Sequence, residues 1–422
     1  MQTLQELRSG QLAGAVRLQL RCGLTEFPRE IFELADTLEI LDLTGNALSS
    51  LPDDLPRLHR LRIIFCSENQ FTRLPPILGS CPSLTMIGFK ANRIESVPAA
   101  ALPARLRWLI LTDNRIETLP PEIGRCPDLQ KLMLSGNRLR ALPHELADCG
   151  QLELLRLSAN TLPALPAWLT SMPRLAWLAF AGNPFSEAAI PPAASISWNA
   201  LHIQHKLGEG ASGVIHQATL DGQPVAVKVY KGAMTSDGLP AQEMATCIGA
   251  GTHPNLIPVL GTIPDHPAGL PALVMPLADP GLRNLAGPPS FASCTRDVYA
   301  DGQRFSADTV FGIARGIASA AAHLHGRGIM HGDLYAHNIL NCDKGNALLG
   351  DFGGASRFEP CTALASALER LEVRAFGYLL EELLERCEEN LPQVRALASD
   401  CLRPLPEARP AFAEAAARLA TV

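Results

Sequence analysis

The chain has 422 residues, 47% of them hydrophobic and 18% charged, with a formal net charge of −6. That length suggests two or three domains with real cores, and the acidic balance argues against nucleic acid or an anionic membrane surface as a partner. No apolar run approaches the ~20 residues that span a bilayer, and Met1–Leu20 carries Glu6, Arg8 and Arg17, so a cytoplasmic chain is expected.

The 11 cysteines form no C-x-x-C pair and are odd in number, which fits a reducing compartment. Cys81, Cys126 and Cys149 fall at one position of successive repeats, where packing is the expected role. Lysine is scarce among the 36 basic residues, as in GC-rich, bacterial coding.

Asparagines 46, 69, 92, 114, 137, 160 and 183 recur every 22 or 23 residues. Each closes a phrase such as Leu38-x-x-Leu41-x-Leu43-x-x-Asn46 or Leu129-x-x-Leu132-x-Leu134-x-x-Asn137, and most precede a Leu-Pro pair such as Leu119-Pro120 or Leu142-Pro143. This pattern resembles the leucine-rich repeat. With a leading copy at Val16–Gly23, the array counts eight repeats over residues 15–186, behind a cap at 1–14. No repeat buries its leucine face alone, so stacking stabilises the array, an α/β solenoid.

Leucines and asparagines are therefore read as scaffold. Recognition is expected on the strand positions facing the concave surface: Ile40, Ile63, Met86, Trp108, Leu154 and Trp177 in one column, Phe65, Ile110 and Met133 in the next, with Lys131 and Arg156 interrupting. Apolar residues where solvated arrays are polar mark an interface, either for a protein substrate or regulator or for the chain's own second domain.

Residues 187–197, with Ile190-Pro191-Pro192, read as a short connector, and a catalytic domain over 198–422 follows. Its first landmark is Leu207-Gly-Glu-Gly-Ala-Ser-Gly213, with Pro224-Val-Ala-Val-Lys228 after it. His253-Pro-Asn255 and Leu273-Val-Met-Pro-Leu277 come next, then His331-Gly-Asp-Leu-Tyr-Ala-His-Asn338 and Asp351-Phe-Gly353. Together these resemble the protein-kinase fold, α+β and two-lobed.

That resemblance implies ATP and Mg²⁺ as cofactors and a role for each motif. Gly208, Gly210 and Gly213 would close over the triphosphate, and Lys228 would contact its phosphates while paired with Glu243. Met275 and Leu277 would line the adenine hinge, Asp333 would align the acceptor hydroxyl, and Asn338 and Asp351 would hold the metal. His323, His325 and His331 read as structure and not as a zinc site.

The departures are as informative. Gly332 replaces the family's arginine, which commonly binds a phosphate on the activation segment, and Tyr335 replaces its lysine, with His337 nearby to supply positive charge. Glu372 stands for the usual aspartate of the central helix. No Ala-Pro-Glu occurs between Gly353 and Glu372, so Arg409 of the closing motif lacks its family partner, and the seat of a peptide substrate is shortened. Activity independent of phosphorylation at Ser356, Thr362 or Ser366 is expected. The favoured reading is a Ser/Thr protein kinase with a partner-binding array. A small-molecule phosphotransferase of the aminoglycoside or choline kinase type and a pseudokinase scaffold are the alternatives. The stretch 278–304 has no assignment.

Overall fold

A computed structural model describes residues 2–420 apart from 187–190, 211, 233, 236 and 343. The chain divides into two compact units, Met1–Leu169 and Thr170–Val422. The division falls before the eighth repeat, which therefore belongs to the second unit.

The first unit opens with helix α1 (Leu4–Arg8), whose Thr3 and Glu6 form a reciprocal cap. Seven three-residue strands follow: β1 (Arg17–Gln19), β2 (Ile40–Asp42), β3 (Ile63–Phe65), β4 (Met86–Gly88), β5 (Trp108–Ile110), β6 (Lys131–Met133) and β7 (Leu154–Arg156). All are parallel and in one register, Ile40 facing Ile63, Ile63 facing Met86, and so on to Leu154. Short 3-10 turns, such as Pro121–Arg125 and His144–Asp148, return the chain on the opposite side. This is a leucine-rich-repeat solenoid.

The period has a hydrogen-bonding cause. Asn137 Oδ1 accepts from Ile116 N (3.0 Å), and its Nδ2 donates to Leu111 O and Leu134 O (both 2.9 Å). Asn160 repeats the pattern with Leu139, Leu134 and Leu157. Each amide thus ties two consecutive repeats through groups buried from water, and an unpaired one costs ~1–3 kcal/mol. The leucines of the phrase, Leu41, Leu109, Leu132 and Leu155 among them, are fully buried. Cys81, Cys126 and Cys149 are free and buried, with burial pushing the Cys126 thiol up to about 11 and that of Cys149 to about 12.

The concave face is less open than its residue types suggested. Ile63, Met86 and Leu154 are buried, at 7%, 4% and 3% exposure, while Ile40, Phe65, Trp108, Ile110 and Met133 are half-buried. Parallel strands ~4.8 Å apart press each side chain against those of the flanking repeats, and larger neighbours cover smaller ones. Phe65 lies across Gly88, where any Cβ would meet its ring. Lys131 Nζ sits 4.3 Å above the Trp108 ring, whose Nε1 donates to Met133 Sδ at 3.3 Å.

The second unit begins with β8 (Trp177–Ala179). An antiparallel sheet follows, built from β9 (Leu201–Glu209), β10 (Gly213–Leu220), β11 (Gln223–Tyr230), β12 (Gly261–Thr262) and β13 (Ala272–Pro276), in the order β12-β13-β11-β10-β9. Val225, Val227, Ala218 and Val274 form its core. The expected connector is partly structured: Ile196 N donates to Thr262 O and Thr262 N to Ala194 O, along the edge of β12. Its residues 187–190 lie outside the described ones. Helix α2 (Pro240–Ala250) completes this lobe.

The other lobe is largely helical. Strand β14 (Arg283–Asn284) precedes the 20-residue helix α3 (Ala307–Gly326), capped by Ser306. Then come β15 (Ile329–Met330), β16 (Ile339–Asn341), β17 (Ala347–Leu349) and β18 (Ser356–Arg357), and helices α4 (Ala363–Leu384), α5 (Pro392–Cys401) and α6 (Phe412–Ala420). Among the described residues no helix is long and apolar enough to cross a membrane.

Candidate functional site

Two hairpins and two helices bring the candidate residues together. Strands β9 and β10 form the glycine hairpin, closed by Gly210 N donating to Gly213 O at 2.9 Å. Cβ atoms at Gly208 and Gly210 would stand in open space, while one at Gly213 would meet Val229 O at 2.5 Å. Small residues thus keep the loop's inner side clear and let β10 close on β11. Glu209 braces the loop between Lys206 and Lys231, each 2.6 Å away, which holds its carboxyl at about 2. Residue 211 lies outside the described residues.

Lys228 projects from β11 toward α2, where its Nζ contacts Glu243 Oε1. Glu243 is buried at 3% exposure and Lys228 is mostly covered at 14%. Burial opposes the charge on Lys228, but the carboxylates of Glu243 and Asp351 outweigh it and raise its pKa, so the ammonium persists. Burial pushes Glu243 up instead, against the lowering pull of the close ammonium. Met275 pairs with Ala226 across β13 and β11, and Leu277 follows the end of β13, both half-buried.

The loop between β15 and β16 carries Asp333. Asn338 Nδ2 donates to Asp333 O (2.9 Å) and Oδ2 (3.0 Å), so the amide closes the loop and leaves its own oxygen out of both bonds. Pairing of β16 with β17 sets Ile339 against Leu349, and Gly350 N donates to Asn338 O. Asn338 therefore lies beside the residue that precedes Asp351. Asp351 is exposed, takes φ +53°, and accepts from Gly353 N at 3.2 Å. Phe352 is buried against His331, ring centroids 5.1 Å apart.

Beneath the loop, Glu372 of α4 is 1% exposed. It accepts from His331 N (3.1 Å), Gly332 N (2.5 Å) and His325 Nε2 (2.7 Å). Burial alone would raise its pKa, but the His325 bond, the histidine charges and the Gly332 amide bring it below the ordinary value. His331 Nε2 bonds Gly350 O at 2.9 Å and His323 Nε2 bonds Ala250 O at 2.8 Å, so each histidine has a structural partner.

The unassigned stretch 278–304 contributes an anchor that spacing did not reveal. Asp297 accepts from His337 N (3.0 Å) and bonds its Nδ1 (2.7 Å). Burial opposes the His337 charge, yet the Asp297 bond raises its pKa overall. Asp297 also takes up much of the charge that the sequence suggested His337 would lend. A further correction concerns Trp177, expected on an open concave face. It is 1% exposed and stacked on Tyr335, because β8 is packed into this unit.

Residues 201–388 match the family described as protein kinase domain, and residues 104–162 and 37–58 match leucine-rich-repeat families. A nodulation receptor kinase of Pisum sativum is 33% identical over 180 residues, covering 41% of this chain and 18% of that protein. The DNA damage-responsive serine/threonine-protein kinase RqkA of Deinococcus radiodurans is 32% identical over 150 residues, 35% of this chain and 21% of the other. A leucine-rich repeat receptor-like protein kinase, PXC2 of Arabidopsis thaliana, is 32% identical over 205 residues, 44% and 19%. The chain thus spans about a fifth of the length of these relatives. Fold and site define a repeat solenoid and a kinase-type lobe pair. In this chain leucine-rich repeats precede a segment, residues 201–388, that matches the protein kinase domain family.

Proposed function

We propose that the chain is an ATP- and magnesium-dependent protein kinase acting on serine or threonine hydroxyls. The observation that carries this reading is the joint arrangement of Lys228 against Glu243 and of Asp333 against Asn338, with Asp351 at the end of the adjoining hairpin. A mostly covered, charged Lys228 would bind phosphate oxygens, and the Asp333 carboxylate would align a hydroxyl and accept its proton. The free amide oxygen of Asn338 and the exposed carboxylate of Asp351 suit a hard cation such as Mg²⁺. Held there, the ion would supply positive charge against the phosphates. The glycine hairpin would cover the triphosphate.

The array's partner is proposed to be a protein held by the half-buried Ile40, Phe65, Trp108, Ile110 and Met133; the buried Ile63, Met86, Leu154 and Trp177 are withdrawn from that surface. Trp108 is the anchor, with Lys131 over its ring. Trp108→Ala should weaken phosphorylation of the bound protein substrate, by ~2 kcal/mol of binding if the ring is fully covered there. Autophosphorylation should be spared. Equal loss of both activities would assign Trp108 to the scaffold. Labelled ATP offered with protein and with aminoglycoside or choline acceptors tests the reaction class; label only on a small molecule would replace the protein-kinase reading.

A further inference from the structure

Three departures of this chain from the kinase pattern meet at one element. Gly332 stands where the family has arginine, Tyr335 where it has lysine, and Arg409 lacks its Ala-Pro-Glu partner. Each of the three is in contact with the eighth repeat.

The Trp177 ring lies 4.3 Å from that of Tyr335 at 4° and 5.5 Å from that of Tyr378 at 18°, two stacked pairs. Its Nε1 donates to Leu334 O at 3.0 Å, next to Asp333. Arg296, from the 278–304 stretch, covers the Tyr378 ring at 3.4 Å. Stacked aromatic pairs contribute ~0.5–1.5 kcal/mol each beyond the area they bury. A lysine at 335 would lose both the stack and the fit.

Gly332 has φ +71°, and a Cβ there would lie 2.6 Å from Leu178 O and collide with Gly354 O. The family's arginine therefore has no room: β8 and the segment after Asp-Phe-Gly fill the space. That segment is itself tied to the repeat. Ser356 Oγ accepts from Phe180 N (2.8 Å) and Ala181 N (3.1 Å), and Ser356 is fully buried. Arg409, 2% exposed, donates to four main-chain carbonyls, one of them Pro173 O of the repeat at 2.8 Å. A backbone acceptor thus serves where the family uses a glutamate.

We propose that the eighth repeat is the positioning element of the catalytic loop and of the segment after Asp-Phe-Gly, with Trp177 as its principal positioning residue. The order that the family commonly draws from a phosphate on an arginine comes here from the folded repeat. Its catalytic consequence rests on the kinase reading above; its structural one rests on the contacts alone. A buried Ser356 with two amide donors is not an accessible phosphorylation site.

The test uses the full chain as wild type, Trp177→Phe, Trp177→Ala and Tyr335→Lys. Amide hydrogen exchange is read with and without ATP turnover, on protein shown by mass spectrometry to be unphosphorylated. Trp177→Ala and Tyr335→Lys should speed exchange in 334–338 and 355–357 by about tenfold or more, with β9 to β11 unchanged. Trp177→Phe, which keeps a ring, should stay near wild type. In turnover, kcat should fall about tenfold in the first two variants while KM for ATP holds within about twofold, because Lys228 and Glu243 are untouched. If Trp177→Ala does not fold, Tyr335→Lys decides by the same criteria. Unchanged exchange in the loop, or a rise spread equally over β9 to β11, would overturn the proposal. Wild-type protein without phosphoryl transfer would remove the kinase reading instead, and exchange would still decide the anchoring.

Discussion

Asp351→Asn and Lys228→Met should each reduce phosphoryl transfer by about a hundredfold or more while the protein stays folded. The expectation follows from position and charge. Asp351 is exposed at the end of β17, where among the described residues its carboxylate accepts a hydrogen bond from Gly353 N alone, so amidation costs the fold little. It removes the formal negative charge that would hold a divalent cation. Lys228 is the ammonium that Glu243 and Asp351 keep charged in a buried site, and methionine fills its volume without the charge. Glu243 is then left buried without its cation, so a loss of stability accompanies Lys228→Met. Phosphoryl transfer depends chiefly on placing charge against the phosphates, which is why both effects are large. Rates and circular dichroism on the two purified variants check this; a folded variant with undiminished rate would remove that residue from the site.

Glu372→Ala should produce the largest loss of stability. The carboxylate is buried and receives His331 N, Gly332 N and His325 Nε2, all of which would lose their acceptor. Breaking a buried, hydrogen-bonded charge pair costs ~3–5 kcal/mol, or roughly 10 °C in the melting of the second unit. The pH dependence has a definite sign. The folded pKa of Glu372 lies below the ordinary 4.5, so its contribution is fully present above pH 4.5 and is lost as pH falls through the lowered folded value. Thermal melts between pH 3 and 7 on wild type and Glu372→Ala should therefore converge toward the acid end, where the carboxylate titrates. Parallel curves throughout would mean that Glu372 is not the titrating group.

The array was legible because every repeat makes the same contacts. An asparagine that must reach the carbonyls of its own and the preceding repeat can recur only at the repeat length, and strand leucines that share one core must recur with it. The kinase motifs were legible because they are local: the hairpin glycines, the lysine strand and the loop from His331 to Asn338 are each short segments with fixed spacing. What spacing could not carry was coverage. Ile63 and Met86 alternate as surface residues should, yet their neighbours on adjacent strands bury them. Trp177 sits at a concave position of its repeat, and its contacts with Tyr335, Tyr378 and Leu334, far away in sequence, show it to be core. Asp297 comes from a Pro- and Gly-rich stretch without periodicity, and its bond to His337 spans 40 residues. The departures at Gly332, Tyr335 and Arg409 were visible as departures, but the contacts they share, with Leu178, Trp177 and Pro173 of the eighth repeat, come from segments far away in sequence.

The most direct measurement is transfer of label from γ-labelled ATP in the presence of Mg²⁺ to protein, for wild type and Asp333→Asn side by side. The Asp333 carboxylate accepts from Asn338 Nδ2, a bond that an asparagine oxygen can also accept, so the asparagine variant should keep its structure and bind ATP as wild type does. The kinase reading predicts labelled protein from wild type and at least about a hundredfold less from Asp333→Asn. Equal labelling by the two, or none by a wild type that binds ATP, would contradict it.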